Sequence, residues 1–137
     1  MKAFRGNNNK KLLPARSELE VLQILWEFGP STVRFVNDML NSKIKPVQYT
    51  STLKLMQLMA EKKMLIRDES SMKHIYSAAI EEQKTKGSIL ESFVQSMYNG
   101  SVGNLLVALL NDEKTSKKDL EIAKELLAKL DRQNKTH

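Results

Sequence analysis

A mostly α fold is predicted: three helices and a β-hairpin wing forming a winged helix-turn-helix, then a three-helix C-terminal dimerisation region. Three observations carry that prediction. Apolar residues recur at helical spacing over most of the chain. Short helical patterns beginning at Ser31 and at Gln48 are followed at once by two strand-like runs about a polar turn. Beyond Ala79 the period is helical to the end. The chain accordingly divides into a basic leader at residues 1–12, expected to be disordered, a winged-helix domain at 13–79 and a helical dimerisation domain at 80–137.

The elements follow in order. Ser17-Glu18-Leu19-Glu20 has the form of a capping box, so a helix should start there. Leu19, Leu22, Ile24, Leu25, Trp26 and Phe28 supply its apolar stripe, and Gly29-Pro30 stops it. Trp26 reads as core or core edge. Ser31 or Thr32 can cap a second helix with Val33, Val36, Met39 and Leu40 inward. Asn41 to Pro46 forms a polar turn. The stretch from Gln48 to Lys63 then places Thr52, Leu55, Met56 and Met59 on one side, and Thr50, Lys54, Gln57 and Glu61 on the other.

Met64-Leu65-Ile66-Arg67 and His74-Ile75-Tyr76-Ser77 read as paired strands flanking a turn from Asp68 to Lys73. Three amphipathic helices follow. The first carries Ile89, Leu90, Phe93, Val94 and Met97 and ends at Asn99-Gly100. The second, capped by Ser101, carries Val102, Leu105, Leu106, Leu109 and Leu110. The last opens near Ser116 with Leu120, Ala123, Leu127 and Leu130. Three such helices enclose little core alone. Ile89, Phe93, Met97, Leu105, Leu106, Leu109, Leu120, Leu127 and Leu130 are therefore the candidate dimerisation residues, the other reading being that they fold back on the first domain.

Composition bounds the chemistry. A hydrophobic fraction of 41% with 28% charged residues describes a soluble folded protein, and there is no uninterrupted apolar run of membrane-spanning length. A cytoplasmic protein without membrane insertion is expected. With no Cys there are no disulfides, thiolate chemistry or Cys-based metal sites. The net charge of +6 favours an anionic partner, nucleic acid being the commonest. Five cations and no acid occupy the first 16 positions (Lys2, Arg5, Lys10, Lys11, Arg16), a leader that suits either a phosphate-contacting arm or a solubilising tail.

The outer row from Gln48 to Lys63 combines a cation, an anion and small hydrogen-bonding groups, as a helix reading base edges requires. Thr50, Ser51, Lys54 and Gln57 are the base-facing candidates, and Lys54 is expected to matter most. Tyr49 can stack on a sugar or cap the helix start. Arg67 and Lys73 flank the hairpin, where they can neutralise phosphates. His74 has no partners at metal or general-base spacing, and no phosphate loop, paired carboxylates or nucleophile with a base is visible. No enzyme, cofactor or metal site is expected. The seven Met residues read as core filler.

Several runs together resemble the penicillinase-repressor family. They are Ser17 to Trp26, Gly29-Pro30-Ser31-Thr32-Val33, Tyr49-Thr50-Ser51-Thr52-Leu53-Lys54, Glu61-Lys62-Lys63, Arg67-Asp68 and His74-Ile75-Tyr76. Asn99-Gly100-Ser101 and the closing Leu-rich helix are similar too. The resemblance spans about Leu13 to Leu130. It implies a homodimeric repressor that places one winged helix in each half of an inverted-repeat operator on double-stranded DNA, blocks transcription, and is released when a membrane-bound metalloprotease sensor triggers cleavage in the C-terminal half. It also implies base- and phosphate-facing roles for Tyr49-Thr50-Ser51 and Lys54.

Departures from the family pattern are specific. The cysteines of its copper-responsive branch are missing. The Asn-Phe bond cleaved in some members corresponds to the stretch Val107-Ala108-Leu109-Leu110. Where many members carry Gly in the turn closing the reading helix, Lys63 stands here, and Leu58 replaces a common Arg. Two other functions fit the residues: a winged helix serving protein–protein interaction without specific DNA binding, and a ligand-sensing winged-helix repressor.

Overall fold

A computed structural model of the chain describes residues 13–135. The basic leader at 1–12 lies outside the described residues. By backbone contacts the chain divides into two compact units, Met1–Ile89 and Leu90–His137.

In the first unit, α1 spans Arg16–Phe28, α2 Val33–Lys43 and α3 Tyr49–Glu61, and a hairpin of β1 (Leu65–Asp68) and β2 (Ile75–Ala78) follows. The start of α1 departs from the expected capping box. Ala15, not Ser17, is the N-cap, and Ala has no side-chain acceptor, so only half of the box forms: the Ala15 N–H donates to Glu18 Oε1 at 2.9 Å. Glu18 at the third helical position is therefore the residue that fixes where α1 begins. Gly29, at φ +83, ends α1 in a conformation that β-carbons disfavour, and its N–H donates to the Leu25 carbonyl at 2.8 Å. Thr32 settles the choice of cap for α2 by accepting from the Phe35 N–H at 3.1 Å.

Val21, Leu22, Ile24 and Leu25 of α1, Val33, Val36 and Leu40 of α2, and Met56 and Met59 of α3 meet in one core with Met64, Leu65 and Tyr76. Trp26 sits at its edge, with Nε1 donating to the Ile80 carbonyl at 3.1 Å. Phe28 does not join it. It remains exposed on the last turn of α1, edge-on to Phe35 at 5.4 Å between ring centroids and with the Lys43 ammonium 5.1 Å from its ring, so its contacts are with the outer side of α2.

The antiparallel hairpin pairs Leu65 with Ala78, Ile66 with Ser77, Arg67 with Tyr76 and Asp68 with Ile75. Both strands run one residue further towards the C-terminus than the sequence suggested. Ser31 adds an isolated bridge to Tyr76 through reciprocal backbone bonds of 2.9 and 2.8 Å, so β2 is held from both sides and the wing is tied to the α1–α2 junction. Three of the methionines, Met56, Met59 and Met64, fill the core as expected. Met72 at the wing tip is almost wholly exposed and Met97 largely so, because neither lies on a face that packs in its own unit.

In the remainder of the chain, α4 spans Glu82–Tyr98, α5 Val102–Leu110 and α6 Lys117–Lys135. Asn99 and Gly100, at φ +50 and +82, turn the chain out of α4, and the Gly100 N–H reaches back to the Val94 carbonyl at 3.1 Å. Ser101 caps α5 by accepting from the Asn104 N–H at 3.1 Å, and the Ser116 hydroxyl does the same for the Asp119 N–H ahead of α6. Among the described residues, no helix is long and apolar enough to cross a membrane.

Candidate nucleic-acid interface

The two rows of α3 separate cleanly. Thr52, Met56 and Met59 are at most 1% exposed and Leu55 is half-buried, while Thr50, Ser51, Lys54, Gln57 and Glu61 are all exposed. Two asparagines on α2 fix the angle at which that outer row is presented. Asn37 Nδ2 donates to Thr52 Oγ1 at 2.8 Å and to the Val47 carbonyl at 3.1 Å. Asn41 donates to the same carbonyl at 3.0 Å and accepts from the Val47 N–H at 3.0 Å. The turn between α2 and α3 is thus held by side chains as well as by the Ile44 and Lys45 N–H groups, which donate to the Leu40 carbonyl at 2.9 and 3.0 Å.

Neither asparagine was singled out from sequence, although a signal was available. Asn37 stands four residues after Val33 and three before Leu40, inside the apolar stripe. A polar residue there needs a buried partner.

Tyr49, at the start of α3, lies beneath the guanidinium of Arg34, which is 4.3 Å from the ring centroid. Of the two roles left open for Tyr49, capping is not seen: the N-cap is Gln48, with no side-chain bond. Arg34, Tyr49, Lys73 and His74 line one cleft of about 460 Å³ between α2 and the wing, with Thr32 at its edge. Arg34 and Lys73 are exposed there, so the cleft wall is cationic. Arg34 is the residue that sequence reasoning missed, since a lone cation on a helix carries no motif.

Arg67 stands apart from this group. It lines a separate cleft with Gln57, Glu61 and Glu69, and its Nε lies 2.5 Å from Glu69 Oε2. The Tyr76 side chain, then the Glu69 carboxylate, hold its guanidinium above the usual arginine value. At the end of α3, Lys62 Nζ reaches Glu18 Oε2 at 2.5 Å and ties α3 to the first turn of α1. Lys63 follows at φ +66.

The candidate dimerisation residues differ in exposure. Phe93, Met97 and Leu109 are exposed, and Ile89, Leu105, Leu106 and Leu120 are half-buried. The side chains of Leu127 and Leu130 lie outside the described residues. No residue of α5 is buried, although most of that helix is apolar. Among the described residues, no group of His, Asp and Glu is arranged to hold a metal ion.

Three helices closed by a hairpin, with a polar outer row on the third, define a winged helix-turn-helix protein followed by C-terminal helices. The chain belongs to the penicillinase repressor family, whose family model matches residues 14–129. Comparison with curated proteins gives no match. The family is one of transcriptional repressors rather than an enzyme class.

Proposed function

We propose that this chain is a cytoplasmic repressor that binds an inverted-repeat operator on double-stranded DNA as a homodimer and blocks transcription by occlusion. The observation that carries the proposal is the division of α3, whose inner row is rooted in the core while Thr50, Ser51, Lys54 and Gln57 stand clear on the outer one. In this reading those four residues face bases, with Lys54 the principal contact. Tyr49 and Lys73 flank the groove and meet phosphates and sugars, joined by Arg34. Arg67 meets phosphate from the separate cleft it shares with Gln57 once its pairing with Glu69 is exchanged for that contact.

Residues 13–79 form the DNA-binding domain in this proposal and residues 80–137 the dimerisation domain. Support comes from the apolar residues that remain in water: Met97 is 62% exposed, Leu109 45% and Phe93 43%. Large apolar groups at that exposure are what half of an interface shows. Release by a membrane-bound metalloprotease sensor would act on the second unit, where Val107, Ala108, Leu109 and Leu110 are all exposed.

The test is a titration of the purified protein against promoter DNA from its own locus, compared with unrelated duplex of equal length, over a range of salt. Two chains per palindrome and a steep log-linear loss of affinity with salt are expected. Weak binding indifferent to sequence would overturn the reading in favour of a protein-interaction module.

A further inference from the structure

A second concavity lies in the first unit, between the beginning of α1, the end of α2 and the first two turns of α3. Its volume is about 290 Å³, near the lower end of the roughly 300–1,000 Å³ of small-molecule sites. Leu40, Ile44, Val47 and Leu55 give it apolar walls. Ile44 is 44% exposed, an uncovered β-branched side chain at the C-cap of α2. Thr52 also lines the cavity and is only 1% exposed. Its oxygen accepts from Asn37, and no acceptor for its own hydroxyl proton is found among the described residues.

The charges at the rim point one way. Glu20 has Arg16 at 3.6 Å, so its carboxylate is compensated. Lys45 also lines the cavity and is exposed, and among the described residues no carboxylate pairs with it. The net unmet demand is for an anionic group beside an apolar wall, with a hydroxyl donor free below.

We propose that this cavity binds a compact apolar monocarboxylate, an aromatic or alicyclic acid whose ring covers Ile44, Val47 and Leu55 while its carboxylate meets the Lys45 ammonium and the Thr52 hydroxyl. Occupancy bears on DNA binding through the residues it touches. Thr52 is the buried anchor of α3, and Val47 is the carbonyl that Asn37 and Asn41 hold. A ligand that takes over the Thr52 hydroxyl re-aims the outer row and lowers operator affinity. This consequence rests on the DNA-binding reading above; the cavity's ligand chemistry does not.

The probes are naphthoate and its neutral counterpart naphthalenemethanol, titrated into the full-length protein and followed by amide NMR. Naphthoate is expected to shift the amide signals of Ile44, Val47, Thr52 and Leu55 saturably, and to bind about tenfold more tightly than the alcohol, since one charge-assisted contact is worth that much. Lys45→Gln should remove the difference between the probes. Ile44→Trp, which fills the cavity from its exposed rim, should abolish both titrations with an unchanged circular dichroism spectrum. Equal binding of the two probes, or saturable shifts confined to the C-terminal helices, overturns the site. Unchanged operator affinity at saturating naphthoate overturns the coupling. A protein that binds no DNA specifically but still takes up naphthoate at these residues refutes the repressor reading alone.

Discussion

Asn37 donates its side-chain amide to Thr52 Oγ1 at 2.8 Å, joining the buried faces of α2 and α3 across 15 positions of sequence. Both residues are at most 5% exposed, so water cannot replace either partner. Asn37→Ala should therefore cost about 1–3 kcal/mol in urea unfolding, the penalty of leaving a buried polar group unpaired. Operator affinity should fall as well, although Asn37 is screened from solvent. Unchanged stability would mean that Asn41 and the backbone bonds to the Leu40 carbonyl hold the turn without Asn37.

Lys54 and Arg34 should fail differently when replaced by Ala. Lys54→Ala is expected to cost about 1–3 kcal/mol of specific binding and little affinity for random duplex. Arg34→Ala should weaken both nearly equally and reduce the salt slope by about one. Both side chains are exposed, so thermal stability should move by less than about 0.5 kcal/mol in either variant. A competition assay at several salt concentrations separates the two behaviours.

Glu18 makes folding sensitive to acid. Burial works to raise its pKa, but the Lys62 hydrogen bond, the Ala15 N–H and the Lys62 charge together bring it below its ordinary value. A carboxylate depressed in the folded state adds stability above its unfolded pKa, and that stability is lost as pH falls through the folded one. Stability should drop as pH is taken below about 4.3, the ordinary glutamate value. Glu18→Gln should be less stable near neutrality and should show a flatter profile in that acid window. Parallel profiles for the two proteins would discard the Glu18–Lys62 pair as the cause.

Lys63 occupies the left-handed region at φ +66, where a β-carbon is strained. Lys63→Gly should relieve about 1–2 kcal/mol of that strain and return part of it through the greater freedom of the unfolded chain. A net gain of about 0.5–1 kcal/mol is expected from chemical denaturation. A loss of stability instead would show that the Lys63 side chain holds the turn in place.

Much of the fold was legible because its signals are periodic. The inner and outer rows of α3, the stop at Gly29-Pro30, the hairpin and the cap at Ser101 all follow from spacing and turn chemistry. What escaped depends on contacts distant in sequence. Ser31 looked like a helix cap until its pairing with Tyr76, 45 positions on, used its backbone for the sheet. Ser17 looked like the cap of α1, but the Glu18 carboxylate reaches the Ala15 N–H, and the helix starts earlier, with Ala15 as its cap. The site was read for its outward residues and not for the asparagines that aim them. Arg34 becomes part of it only through its stacking on Tyr49, which no local pattern announces.

Trp26 is the single tryptophan of the chain, and its indole is bonded to the Ile80 carbonyl with the Lys86 ammonium 5.8 Å from the ring. The protein therefore carries its own optical reporter. Emission wavelength and quenching by iodide would register whether the segment leading into α4 stays seated on α1 at Trp26, with no dye attached and no position spent on a label. Any agent that loosens the segment should shift the emission to the red before the core of the winged helix gives way.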